Sequence, residues 1–259
     1  MCSGLMESCW TPRHSRFKSS GKHSQDVVLP LTQFCIRVLV LRRKLAVFRG
    51  LKMPFKKLDE KEIARINQLQ QERFDTLVDT FEPPLPAGVP ERLARIVAAA
   101  KIEKGASVLD VGTGSGILIS LIQQYEPGKI HACDISREML KHVQTKYSGI
   151  VTHWCDVRDL TLPDNSLDVV FINACYGNIA DKPGTFRLME RVVKPAGKVV
   201  ISHPLGKDFI GKLKPNCPFP LDDFPGEAEA RMLLGPFGFD IHLFLDEPEL
   251  YLLVAMKRT

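Results

Sequence analysis

Apolar residues gather into seven short runs along the second part of the chain, at positions 107–111, 129–134, 150–155, 167–174, 198–203, 242–245 and 251–256. Each is the length of a strand, rich in β-branched residues and bounded by turn formers, so each predicts a β-strand. Between the first five, apolar positions recur at helical spacing over 117–125, 138–147 and 185–193. Strand and helix patterns in alternation are the signature of βαβ units on a parallel sheet. Only Asp246-Glu247-Pro248-Glu249-Leu250 separates the last two runs, too little for a crossover helix, so these two predict an antiparallel hairpin. The expected fold class is α/β: a doubly wound, seven-stranded sheet, mostly parallel with an antiparallel C-terminal hairpin, and helices on both faces.

Upstream, Ile63, Ile66, Leu69, Leu77, Val78 and Phe81 fall at helical spacing, with Asp59 placed to cap the first turn. A helix or helix pair is expected there. The following Pro83-Pro84-Leu85-Pro86-Ala87-Gly88-Val89-Pro90 cannot continue it, since proline lacks the amide donor and fixes φ, and a second helix is expected at 91–100. Residues 204–225 carry four prolines before Pro225 and no period, which reads as a long surface loop of the lid or binding kind. The chain thus divides into a basic extension at 1–52, a lid helix with a proline-rich linker at 53–90, and a catalytic-sized domain at 91–259.

Composition changes this picture in one respect. The net charge of +5 over 259 residues raises the question of nucleic acid, but ten of the 35 basic residues and only two of the 30 acids lie in 1–52. The body carries 25 basic and 28 acidic residues, so no nucleic-acid partner is expected of it. The Ser- and Arg-rich extension suits a transit peptide, and its early serines favour a chloroplast address over a mitochondrial one; a disordered basic tail, or a natural start at Met53, are the alternatives. Its most apolar stretch, 34–48, is broken by Arg37, Arg42, Arg43 and Lys44, so no membrane span is expected. The seven cysteines form no C-x-x-C pair and have no histidines at ligand spacing, so free thiols and no metal are expected.

Candidate chemistry centres on Val108-Leu109-Asp110-Val111-Gly112-Thr113-Gly114-Ser115-Gly116. This is a hydrophobic strand turning through three glycines into a helix, with backbone that a ligand can approach closely. A dinucleotide fingerprint needs G-x-G-x-x-G to seat a pyrophosphate on a helix N-terminus; here the spacing is G-x-G-x-G. Asp110 opposes a pyrophosphate and suits a ligand carrying an ammonium and a sulfonium.

The D-x-G-x-G-x-G pattern closely resembles the first motif of class I S-adenosylmethionine-dependent methyltransferases. The resemblance continues through Leu162–Phe171 and through Glu190-Arg191-Val192-Val193-Lys194-Pro195-Ala196-Gly197, and covers about residues 74–259. Within it, the chain is most similar to type 11 and ubiquinone/menaquinone-type methyltransferases; Ala196 departs from the family's usual glycine. A Rossmann-like fold, an S-adenosyl-L-methionine cofactor and methyl transfer without a metal are what the resemblance implies. Asp110, Gly112, Thr113, Gly114 and Gly116 would form the cofactor loop. Asp134, closing the second strand, would take the ribose hydroxyls with Ile135 beside it. Asp156 would meet the adenine amino group, Val157 the ring, and Asn173 the methionine end.

The acceptor side is less legible. Asn173-Ala174-Cys175-Tyr176-Gly177-Asn178 is neither Asn-Pro-Pro-Tyr nor Asp-Pro-Pro-Tyr, which withdraws support from amino methylation of adenine or glutamine. His203, ending the fifth strand, is the candidate general base, with a structural role as the alternative. Tyr176 either borders the acceptor or packs, and Cys175 is expected to be a neutral thiol. Arg73-Phe74-Asp75 resembles the cofactor-covering helix of the quinone-type enzymes. Phe209, Phe219 and Phe224 would suit an apolar acceptor or merely hold the loop down. The expected partner is a small-molecule methyl acceptor; a catalytically idle cofactor-binding subunit, or a protein or RNA methyltransferase, are the competing readings. Oligomeric state is not legible.

Overall fold

The computed structural model describes residues 58–259, and the transit-peptide reading of 1–52 lies outside the described residues. The described residues begin with α1 (Glu60–Phe74), whose first turn is closed by the reciprocal bonds of Asp59 and Glu62, so the expected N-cap is in place. A short 3₁₀ turn (Val78–Phe81) and α2 (Val89–Ala99) follow. Then come β1 (Ser107–Val111), α3 (Ile119–Gln123), β2 (Lys129–Asp134), α4 (Arg137–Lys146), β3 (Ile150–Trp154) and β4 (Leu167–Asn173). The remainder is α5 (Lys182–Val192), β5 (Val193–His203), α6 (Phe209–Leu213), α7 (Glu227–Leu234), β6 (Phe239–Glu247) and β7 (Leu250–Lys257).

The seven strands form one sheet in the order β3-β2-β1-β4-β5-β7-β6. Strands β1 to β5 pair in parallel, and β7 runs antiparallel between β5 and β6. Successive side chains point to opposite faces, and both faces are covered, which is why the inner strands read as unbroken apolar runs. Leu109, Val170 and Ile201 pack on one side with Phe186 and Met189 of α5, together with Leu233 of α7. Val108, Phe171 and Val200 pack on the other with Ile96 of α2, Ile122 of α3 and Val143 of α4. Chain order reverses between β1 and β4, so their carboxyl ends diverge and leave a crevice. No described helix is long and apolar enough to cross a membrane.

Three details differ from the pattern reading. The 204–225 segment is not wholly irregular, because α6 forms within it and Phe224 drops into the core. Helix α7 was not expected at all; its eight residues lie between Gly226 and Gly235, too short a window for a helical period to stand out. Strand β5 starts at Val193, five residues before the apolar run, with a register shift opposite Leu167 and Val169 that accommodates the Pro195-Ala196-Gly197 turn. Ala196 sits there at φ 62°, the left-handed conformation that glycine adopts without strain.

Candidate functional site

The crevice begins where β1 ends. Gly112 turns at φ 61° and its amide bonds the Cys133 carbonyl at 2.8 Å; a Cβ there would collide with the Cys175 thiol. At Gly116 a Cβ would meet the Tyr147 ring at 2.8 Å, so this glycine, between the cavity-lining Ser115 and Ile117, lets the loop pack closely on the neighbouring helix. Gly114 is different: nothing lies within 4 Å of where its Cβ would be, and its amide donates to Asp134 Oδ2 at 2.9 Å. Gly112, Thr113 and Gly114 therefore present bare backbone to a cavity of about 360 Å³.

Three carboxylates line that cavity, and among the described residues no lysine or arginine does. Asp110, on β1, is buried and accepts the Thr113 hydroxyl at 2.7 Å. Burial pushes its carboxyl up to about 7; the Thr113 hydroxyl works against that rise and the Asp134 charge adds to it. Asp134 closes β2 and accepts the amides of Gly114 and Ser136, the latter at 2.8 Å. Burial still carries it up to about 6. Two buried carboxylates in this state lack a cation, and a ligand bearing positive charge would supply it. A pyrophosphate would meet only repulsion.

Asp156, after β3, caps a 3₁₀ turn (Val157–Asp159) through the Arg158 amide. Its other oxygen accepts Asn67 Nδ2 at 2.7 Å and sits 3.2 Å from Arg158 Nε, so an adenine amino group placed there shares an occupied carboxylate. Ile135, Val157 and Asn173 all line the cavity. Asn173 Oδ1 accepts the Ser202 hydroxyl at 2.9 Å, which leaves its amide nitrogen for a ligand.

A roof covers the crevice. Asn67 and Gln70 of α1 bond Asp156 and the Asn178 carbonyl, and Asp75 accepts the Ser136 hydroxyl at 2.6 Å. The Phe74 ring lies 6.4 Å from Phe81 and 5.9 Å from Phe219, so the lid helix and the 204–225 segment meet over the site. Asn67 and Gln70 escaped the sequence reading; their partners lie 89 and 108 residues away, and only their shared spacing with the helix's inner face could have hinted at them. Beyond the carboxylates the wall turns apolar, with Phe74, Phe81, Leu85, Val89, Leu205 and Phe209.

Two acceptor-side expectations are changed by the geometry. Tyr176 is buried outside the cavity, its ring 5.3 Å from Phe224 and 4.9 Å from the Lys182 ammonium, because the 3₁₀ turn Tyr176–Asn178 carries it away from the crevice. Packing is its role. His203 does line the cavity, yet its Nδ1 accepts the Leu205 amide at 3.1 Å and burial lowers its pKa to about 4. A ring so placed is a poor proton acceptor. Of the three loop phenylalanines only Phe209 reaches the cavity, while Phe224 packs on Tyr251 at 4.8 Å. Cys175 is half-buried, and desolvation pushes its thiol up, as a neutral group. Cys133 and Cys155, also in the wall, have their Sγ atoms 3.8 Å apart.

A family model described as a methyltransferase domain matches residues 109–201, the span from β1 to the end of β5 that builds this cavity. Residues 109–201 are thus similar to a methyltransferase domain. The ubiquinone/menaquinone biosynthesis C-methyltransferase UbiE of Cupriavidus metallidurans is 30% identical over 159 residues, which is 57% of this chain and 63% of that protein. The chain therefore spans less than two thirds of the curated relatives' length. Among solved structures, an S-adenosylmethionine-dependent methyltransferase from Mesorhizobium loti aligns at TM-score 0.54 and 17% identity, over 66% of this chain and 100% of its own. The [4+2]-cyclase SpnF shares the fold at TM-score 0.53 and 16% identity, over 65% of this chain and 81% of its own. Fold alone thus does not carry the reaction, and the residues of the site must. The open backbone at Gly114 beside Asp110 and Asp134, two buried carboxylates with no cationic partner among the described residues, fits a positively charged cofactor such as the S-adenosylmethionine that the Mesorhizobium loti protein is named for.

Proposed function

We propose that this protein transfers a methyl group from S-adenosylmethionine to a neutral, largely apolar small molecule, at carbon, as the names of its relatives indicate for them. One observation carries the reading: the cavity joins a carboxylate-rich half, in which Asp110 and Asp134 have no cationic partner among the described residues, to an apolar half under one roof. An anionic acceptor would find no lysine or arginine among the described residues lining it.

When bound, the cofactor supplies an electrophilic methyl group on its sulfonium. Asp134 would hold the ribose, Asp110 the cationic amino-acid end together with Asn173, and Ile135, Val157 and Asp156 the adenine. The roof of α1 and the 204–225 segment excludes water, and alignment of donor and acceptor contributes several kcal/mol, roughly 7–11 in well-aligned cases. No proton relay is built from the described side chains of the apolar half, which suits an acceptor that is already nucleophilic.

Calorimetry with S-adenosylmethionine tests the assignment. Wild-type protein should bind one equivalent and Asp134→Ala should not; unaltered binding in that variant removes the ribose role. The Ser- and Arg-rich residues 1–52 support a plastid location, which N-terminal sequencing of the mature protein tests, an intact Met1 removing it.

A further inference from the structure

His203 stands at the carboxyl end of β5, where the polar and apolar halves of the cavity meet. Its ring is fixed from three sides. Phe209 lies 5.3 Å from it, Phe224 meets it edge-on at 5.7 Å, and the Leu205 amide donates to Nδ1 at 3.1 Å. An imidazole nitrogen that accepts a backbone N–H carries no proton, so in the neutral ring the proton is on Nε2. No carboxylate bonds the ring, and burial alone acts on its basicity, driving the pKa to about 4. At neutral pH the side chain is a neutral Nε2–H donor.

That donor has no partner among the described residues, and it is not among the buried polar atoms sealed from space. It faces a cavity whose nearby wall is Leu205, Phe209 and Pro204. An N–H that reaches accessible cavity space is satisfied by solvent until a ligand oxygen takes the place of that water. The carboxylates on the cofactor side have their own donors, and the side chains of Pro204, Leu205 and Phe209 beside His203 carry no acceptor. A ligand oxygen placed here would take over the bond.

The geometry points to His203 as the anchoring donor for an oxygen of the methyl acceptor, a carbonyl or enol oxygen on an otherwise apolar molecule, in place of the general-base role that its sequence position suggested. This rests on the methyltransferase reading of the cavity. It also gives the acceptor an orientation: the oxygen is tied to β5 and the apolar remainder lies along Phe209, Phe74 and Phe81. For an enol acceptor, the carbon–methyl bond forms as the sulfonium–methyl bond breaks to leave neutral S-adenosylhomocysteine, the enol O–H proton passes to cavity water, and the Nε2–H bond to that oxygen holds the carbon in line.

The test uses full-length protein saturated with S-adenosylhomocysteine and two probes that differ by one ring carbonyl, tetralin and 1-tetralone. His203→Phe keeps an aromatic ring against Phe209 and Phe224 but removes the donor. It should lower 1-tetralone affinity about three- to tenfold and leave tetralin affinity unchanged. His203→Gln restores a donor and should recover most of the loss. In parallel, ¹⁵N NMR of histidine-labelled protein at neutral pH should show the Nε2–H tautomer. Equal loss for both probes, no loss for either, a proton on Nδ1, or failure of the wild type to bind either probe while it retains S-adenosylhomocysteine would each overturn the assignment. Failure to bind S-adenosylhomocysteine would instead overturn the methyltransferase reading beneath it, so the two failures are told apart.

Discussion

The titration of Asp110 and Asp134 makes cofactor affinity depend on pH near neutrality. Both carboxyls are buried beside each other and held up, to about 7 and about 6, by loss of solvent. A cationic ligand binds their ionised forms, so binding expels protons and affinity is full above both values and falls as pH drops through them. From pH 7 to pH 6 the ionised fraction falls about fivefold for a group titrating near 7 and about twofold for one near 6, so affinity should fall about tenfold, or ~1.4 kcal/mol. His203 contributes nothing in this window because its pKa is already at about 4. Isothermal calorimetry with S-adenosylmethionine at the two pH values, repeated in buffers of different ionisation enthalpy, reads both the affinity and the protons released. Asp110→Asn should flatten the dependence to about twofold, since only Asp134 then titrates. An affinity unchanged between pH 7 and pH 6, or higher at pH 6, would refute the claim that these carboxylates meet positive charge. The same shifts work in reverse on the free protein: the folded chain holds protons that the unfolded one has released, so these two groups contribute declining stability as pH rises from about 4 through 7.

Three further outcomes follow from particular contacts. Ala196→Gly relieves a left-handed alanine at φ 62° and should stabilise the fold by about 0.5–1 kcal/mol, a gain of roughly 1–4 °C in Tm by calorimetry; no gain would mean the turn relaxes without strain. Asp222→Ala takes the carboxylate from the buried Lys182 ammonium, leaving it the Ile179 carbonyl at 2.9 Å and the Tyr176 ring at 4.9 Å, and should cost about 2 kcal/mol in urea unfolding; Lys182→Met should cost less, and the opposite ranking would show that the pair does not hold the segment down. Cys155 lies in the cavity wall and its thiol is lowered by its hydrogen bond with Cys133, so saturating S-adenosylmethionine should slow its alkylation severalfold by mass spectrometry. Equal rates with and without cofactor would place the ligand elsewhere.

Much of the fold was legible because the inner strands are buried on both faces. Runs such as Val108-Leu109-Asp110-Val111 and Leu167–Asn173 leave no room for another reading, and their order with the intervening helices fixes a parallel sheet. The carboxylates were legible too, since Asp110 and Asp134 stand on strands and Asp156 directly follows one, where position in sequence nearly determines position in space. What escaped depends on tertiary placement. Asn67 finds Asp156 only once α1 lies across the crevice. Tyr176 follows β4 as closely as Asn173 does, but a 3₁₀ turn swings its ring into the core beside Phe224, and no local period announces such a turn. The role of His203 turns on a single backbone amide two residues along, a contact that residue type cannot foretell.

The central claim is methyl transfer to a neutral, apolar, small acceptor. Its most direct test is incubation of the full-length protein with S-adenosylmethionine isotopically labelled in the methyl group and a fractionated metabolite extract, followed by mass spectrometry of the products. The account predicts label in one or a few neutral, organic-extractable molecules, and its loss with Asp134→Ala. Label confined to anionic metabolites, protein or RNA, or cofactor binding with no transfer to any fraction, would contradict it.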